Sequence, residues 1–176
     1  IDHYEIDKKY ELSVEGIFKK IFVIDDLANR EHSCNLLIDQ NYYENFQKRY
    51  EKLVSKKCNT LLGPDYIILR SEFRNFKKIN HTHNDYPKNI LISFGGSDPT
   101  NECEKILNAI ISLKNKKFNI IVITGINNQN FSRIKEKFGK IQNIQIFQHI
   151  NNFSEILSKS ELCFGAGGIT TWERLY

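Results

Sequence analysis

The chain of 176 residues has no methionine and no apolar run near the roughly 20 residues that a membrane-crossing helix requires. Its first residues lack the basic-then-apolar layout of a secretory signal. Stable membrane insertion is therefore not expected, and the expected setting is a globular protein of the cytoplasm. There is no C-x-x-C pair: Cys34, Cys58, Cys103 and Cys163 are far apart in sequence, which argues against a metal knuckle or a redox motif. They read as reduced thiols, mostly buried in or near strands, and no metal and no cofactor is expected. The net charge of +4 comes from lysines scattered among Glu, Asn and Ile. Without a basic cluster, nucleic acid is not an expected partner.

What is present is a hydrophobic fraction of 40%, enough for a genuine core. Apolar runs alternate with amphipathic stretches, the pattern of βαβ units with parallel strands covered by helices. Strands are expected at Phe18–Ile24, Leu36–Ile38, Ile90–Phe94, Ile120–Thr124, Ile144–Phe147 and Leu162–Phe164. Three- and four-residue apolar spacing predicts helices over Glu5–Val14, Glu44–Val54, Glu102–Leu113, Phe131–Phe138 and Phe153–Ser158. Gly63-Pro64 breaks regularity, and a polar stretch with His81, His83 and Pro87 leads into a new strand. The expected organisation is thus a first domain over 1–73, a linker over 74–88 and a second domain over 89–176. Ile1-Asp2-His3-Tyr4 resembles a strand tail with its following loop. Both ends of the chain read as cut, so further N- and C-terminal portions of the same chain are expected partners.

Two glycine loops carry the chemistry. In the first, strand Ile90–Phe94 runs into Gly95-Gly96-Ser97-Asp98 and then a helix. Glycines let backbone approach a ligand closely, and free N–H groups with the positive helix end suit a diphosphate without a metal. Asp98 or Asn101 would cap that helix. A glycine pair alone also fits an ordinary tight strand-to-helix turn. The second loop, Gly165-Ala166-Gly167-Gly168, leads to Ile169-Thr170-Thr171-Trp172-Glu173-Arg174. Here Thr170 and Thr171 offer donors to phosphate, and Glu173 offers a carboxylate for the hydroxyls of a ribose. The competing reading makes Thr170 a simple cap and Glu173 a charge favoured by the helix dipole. Both loops follow strands of one expected sheet and should open at its carboxyl edge, where open α/β sheets bind ligands. Neither loop fits the G-x-x-x-x-G-K-[ST] phosphate loop, and the dinucleotide fingerprint is absent, which disfavours a kinase or dehydrogenase.

Several ordered motifs together resemble one family. They are Asp2-His3-Tyr4, Val23-Ile24-Asp25-Asp26-Leu27-Ala28, Cys34 through Asn41, Gly63-Pro64-Asp65-Tyr66, Leu69-Arg70-Ser71-Glu72-Phe73 and the two glycine loops. The chain is similar to the UDP-2,4-diacetamido-2,4,6-trideoxy-β-L-altropyranose hydrolases of pseudaminic-acid biosynthesis, which in turn resemble the MurG-type glycosyltransferases. The resemblance implies an α/β, GT-B-like fold with two Rossmann-like doubly wound parallel sheets, both incomplete in this chain. It implies a UDP-sugar as substrate, with UDP in the C-terminal domain and the sugar facing the N-terminal one. By the same analogy Glu173 takes the ribose, and Gly95, Gly96, Ser97, Gly167, Gly168, Thr170 and Thr171 serve the phosphates. His149 and Ile150 meet the uracil through backbone groups, although Gln148-His149-Ile150 reads equally as a polar loop with one solvated histidine. Tyr4 corresponds to a tyrosine at the sugar site that orients water or steadies charge, with Asp2 and His3 beside it. The family's G-x-G-H-x-x-R motif, whose histidine is the general base, is absent, and His81-Thr82-His83 is no substitute. The implied activity is hydrolysis to free sugar and UDP, with no turnover expected of this chain by itself. A glycosyltransferase of the same architecture and a non-catalytic nucleotide-sugar-binding module are the alternatives.

Overall fold

The computed structural model describes residues 1–74, 86–113 and 118–176. The described chain is α/β and divides into two compact units, Ile1–Ile68 and Leu69–Tyr176. The expected linker, with His81 and His83, falls largely on residues outside those described.

The first unit is built on a parallel sheet ordered β1-β2-β3, with β1 at Phe22–Ile24, β2 at Leu36–Asp39 and β3 at Asn59–Leu62. Ile1 extends this ladder. Its nitrogen donates to the Phe22 carbonyl at 2.7 Å and its carbonyl accepts from Ile24 N–H at 2.9 Å, so Asp2, His3 and Tyr4 run past the carboxyl edge of β1. Helix α1, Lys8–Ser13, starts where the Asp7 carboxylate accepts from the N–H groups of Lys9 and Tyr10, the usual remedy for unpaired first-turn donors. Ile21, Val23, Leu37 and Tyr50 form the core.

Two expectations are corrected in this unit. The strand starting at Phe18 is confined to Phe22–Ile24, and Phe18 itself is exposed. The helix over Glu44–Val54 shrinks to a 3-10 turn at Phe46–Lys48. Asn45 takes a left-handed φ of 57°, which breaks helical propagation. Tyr50 is drawn inward instead: its hydroxyl donates to the Asp25 carbonyl and carboxylate, each at 2.9 Å.

The second unit holds a four-stranded, all-parallel sheet ordered β6-β5-β4-β7, made of β4 Asn89–Ser93, β5 Asn119–Ile123, β6 Ile144–Phe147 and β7 Leu162–Gly165. Alternation along the strands feeds two cores. Ile90, Ile92, Ile120, Val122 and Ile144 pack with Cys103, Leu107 and Ile110 of α3, Glu102–Ser112, and with Ile134 and Phe138 of α4, Phe131–Phe138. Leu91 and Ile123 pack on the other side with Phe73 of α2, Ser71–Arg74, and Phe153 of α5, Phe153–Ser158. A sheet covered on both faces needs the continuous apolar runs seen in these strands. This is a Rossmann-like arrangement. The packing of Phe73 also explains why 69–73, grouped with the first domain in the sequence reading, falls in the second unit. Strands β4, β5 and β6 step outward in one direction, and the chain then crosses to place β7 on the opposite side of β4. The order reverses there, the kind of crevice where open α/β sheets take ligands. No helix among the described residues is long and apolar enough to cross a membrane.

Candidate functional site

A cavity of about 300 Å³ opens at the carboxyl ends of β4, β5, β6 and β7. Ser93 at the end of β4 and Gly95 and Gly96 after it line the cavity, with Thr124 and Gly125 after β5, His149 and Ile150 after β6, and Ile169, Thr170 and Glu173 beyond β7, and Arg70 and Phe153 complete the wall. The first glycine loop and the start of the helix that follows the second, distant in sequence, are thereby brought to one concavity.

Close approach decides the glycine at 125. A Cβ there would fall 2.1 Å from the Gly96 carbonyl oxygen, far inside contact distance, so the loops after β4 and β5 stack only because the position has no side chain. The second loop is held from behind by Arg174. One of its guanidinium nitrogens donates to the Ala166 carbonyl at 3.1 Å and to the Thr171 hydroxyl at 3.1 Å, and a Cβ on Gly165 would lie 1.9 Å from the other.

Glu173 is 3% exposed in helix α6, Ile169–Leu175. Both its oxygens accept from Arg70, at 2.6 Å from Nε and 2.8 Å from Nη2. This bidentate geometry satisfies the buried carboxylate and raises the Arg70 pKa above its ordinary value, the bond to Glu173 being the largest cause. Arg70 also lies 4.5 Å over the Phe153 ring and 3.2 Å from the Glu72 carboxylate. Glu72 in turn accepts from the Ser154 N–H at 2.8 Å. The segment Leu69–Arg74 is thus a brace that fixes one wall of the cavity.

Of the two residues expected to cap the helix after the first loop, Asp98 is the one that does. Asp98, 3% exposed, caps α3: its carboxylate accepts from Glu102 N–H at 2.8 Å and Cys103 N–H at 3.0 Å. Asn101 makes no cap bond of its own and is left-handed at φ 56°. The first amides of α3 are therefore occupied by an internal anion, and what remains open to a ligand is the Gly95-Gly96 backbone.

Of the expected nucleotide-binding residues, Gly95, Gly96, His149, Ile150, Thr170 and Glu173 line the cavity, whereas Ser97, Gly167, Gly168 and Thr171 do not. The Thr171 hydroxyl is turned inward, donating to the Ala166 carbonyl at 3.4 Å while accepting from Arg174. Arg70, Thr124, Gly125 and Phe153 were not singled out for a role by sequence. Arg70 lies in one of the motifs that carry the family resemblance, which was the available signal. Among the described residues, no group of three or more His, Cys, Asp or Glu is placed to hold a metal ion.

In the first unit, Asp2, His3 and Tyr4 are all exposed. Arg30 pins their loop, donating to the His3 carbonyl at 3.2 Å and the Ile6 carbonyl at 2.8 Å. The Tyr4 pKa is raised above its ordinary value, first by the negative charge of Asp26 and then by partial burial. The phenol is accordingly a neutral O–H at neutral pH. Beneath it lies a dense polar network. Asp25 pairs with Arg30 at 2.7 Å and accepts from Ala28 N–H at 3.0 Å, and Glu11 meets His32 at 2.7 Å.

No protein-family model matches the chain. Among proteins of known sequence, it is similar to an uncharacterized protein of Methanocaldococcus jannaschii, with 31% identity over 185 aligned positions covering 100% of this chain and 37% of the relative. It is similar to the UDP-2,4-diacetamido-2,4,6-trideoxy-beta-L-altropyranose hydrolase of Campylobacter jejuni, 32% identical over 164 residues, 91% of this chain and 56% of the relative. It is also similar to the spore coat polysaccharide biosynthesis protein SpsG of Bacillus subtilis, 26% identical over 116 residues, 64% of this chain and 33% of the relative. The chain is a distant relative of these proteins, and it spans between 33% and 56% of their lengths.

Proposed function

We propose that the chain is part of a sugar-nucleotide-processing enzyme of GT-B type, whose reaction is hydrolysis of a UDP-linked diacetamido-trideoxy sugar to free sugar and UDP in surface-glycan biosynthesis. The observation that carries this reading is the cavity at the strand-order reversal, which gathers Gly95-Gly96 of the first glycine loop, His149-Ile150, and Ile169, Thr170 and Glu173 of the helix that follows the second loop. The similarity to a hydrolase of such a substrate over 91% of this chain supports it.

In this reading the nucleotide occupies the cavity. Glu173 accepts the ribose hydroxyls, the Gly95-Gly96 backbone and Thr170 donate to the phosphates, and the uracil meets Ile150. Arg70 supplies the positive charge that the capped α3 terminus does not. The reaction breaks the bond between the anomeric carbon and the phosphate oxygen, with water adding to the carbon and the electron pair leaving on UDP. Donors held around the phosphates stabilise that departing charge without reorganising. Tyr4 contributes a neutral phenol that orients water or steadies charge at the sugar, with Asp2 and His3 beside it. The general base is assigned to portions that the relatives possess beyond the span of this chain.

The test is product analysis by NMR. The protein, with the additional portions found in the relatives, is mixed with the UDP-linked diacetamido-trideoxy sugar and no acceptor. UDP and free sugar should appear, and Tyr4→Phe should slow their release while leaving UDP affinity unchanged. An intact substrate that binds without turnover would replace hydrolysis by transfer or by simple binding.

A further inference from the structure

Cys34 and Cys58 are free thiols whose sulfurs lie 3.5 Å apart. They flank neighbouring parallel strands. Cys34 stands two residues before β2, and Cys58 immediately precedes β3. The backbone clamps both approaches, since Asn59 N–H donates to the Asn35 carbonyl at 3.0 Å, and both side chains pack on the core cluster around Leu37 and Tyr50. A disulfide requires about 2.05 Å between sulfurs, so closure asks for about 1.5 Å of relative movement of the two sulfurs.

We propose that Cys34 and Cys58 are a modification site, a thiol pair that closes to an intramolecular disulfide at the start of β2 and β3 when it meets a low-molecular-weight disulfide. Cys58 is the attacking thiol. It lines a cavity of about 160 Å³ that also touches Ser55 and Lys56, and Cys34 is not among the residues lining that cavity. Cys58 loses its proton to solvent, and its thiolate attacks one sulfur of the small disulfide, breaking that S–S bond and expelling one small thiolate. The Cys34 thiolate then attacks Cys58 Sγ in the mixed disulfide, forming the Cys34–Cys58 bond and expelling the second. Two electrons pass from the cysteines to the small disulfide, which leaves as two thiols. Burial raises both cysteine pKa values above the ordinary thiol range, so the exchange is slow at neutral pH and quickens as pH rises.

Sequence position sets the consequence. Crosslinking 34 to 58 ties the start of the sheet, the edge opposite the Asp2–Tyr4 loop, and shortens the unfolded chain's free loop. The first unit's thermal midpoint should therefore depend on redox state.

The experiment treats the folded chain with glutathione disulfide and maps peptides without reduction. A Cys34–Cys58 crosslink with loss of two hydrogens is expected, together with a midpoint raised by about 5 °C or more and reversed by dithiothreitol. In Cys34→Ser, the glutathione adduct on Cys58 should persist because the resolving thiol is gone. Stable glutathione adducts on Cys58 of the unmutated chain, or oxidation of Cys103 and Cys163 in preference to this pair, would overturn the proposal. So would a Cys58 that stays unmodified in Cys34→Ser.

Discussion

Replacing Arg70 by Met removes both donors from a carboxylate that is almost wholly buried. The Glu173 side chain is 2% exposed and that of Arg70 is 45% exposed. Breaking a fully buried pair costs about 3–5 kcal/mol. Because Arg70 is nearly half open to water, which screens the pair and can enter the vacated space, the figure is discounted to about 2 kcal/mol. Met is chosen because its thioether keeps a contact with the Phe153 ring that the guanidinium now covers. Glu173→Gln alone keeps one acceptor oxygen and should cost about 1 kcal/mol. Once both charges are gone, neither partner is stranded, so the double variant should lose about 1.5 kcal/mol, well short of the sum. The assay is urea unfolding followed by the fluorescence of Trp172, the chain's one tryptophan, which adjoins Glu173 in α6. Losses that add to within about 0.3 kcal/mol would refute the coupling, and with it the idea that Arg70 holds Glu173 ready.

Three further outcomes follow from the same geometry. The Glu104 carboxyl is lowered to about 2, first by its bond to Lys137 and then by Asn101, with Arg133 adding to the effect. A depressed folded value stabilises above the unfolded carboxylate value of about 4.3. Urea midpoints should therefore fall as pH drops from about 4.5 toward 2, and Glu104→Gln should flatten that limb; an unchanged limb would contradict this. Gly125→Ala forces a Cβ against the Gly96 backbone and should lower stability by about 2 kcal/mol or more in urea unfolding; an unaltered midpoint would show that the loops yield freely. Asp98→Ala uncaps Glu102 and Cys103 and should cost about 1–2 kcal/mol in the same assay. UDP affinity should change little, and a loss of binding larger than the loss of stability explains would place Asp98 in the ligand's path.

How much of this was legible in sequence depended on the range of the interaction. Ile90-Leu91-Ile92 and Ile120-Ile121-Val122 could be read as strands because burial on both faces writes a continuous apolar run. Asn59–Leu62 was missed: four residues, two of them polar, give too short a signal, and the strand is defined by its register with Leu36–Asp39. The 44–54 stretch has helical spacing, yet Asn45 in the left-handed region and the inward bonds of Tyr50 override it. At the site, the glycine loops and Glu173 announced themselves as local patterns. Arg70 did not, because its significance is a contact made across 103 positions of sequence. The same holds for Gly125, a single glycine after a strand until the Gly96 carbonyl is seen against it, and for Thr171, whose hydroxyl looks available in sequence but is committed to Ala166 and Arg174.

The central claim is that the cavity of the second unit is a nucleotide site centred on Glu173, and the most direct measurement is isothermal titration of the folded chain with UDP. The account predicts saturable binding that Glu173→Ala weakens by about tenfold or more, equivalent to about 1.4 kcal/mol, and that Tyr4→Phe leaves unchanged. A folded chain that does not bind UDP, or one whose affinity is indifferent to Glu173→Ala, would contradict it.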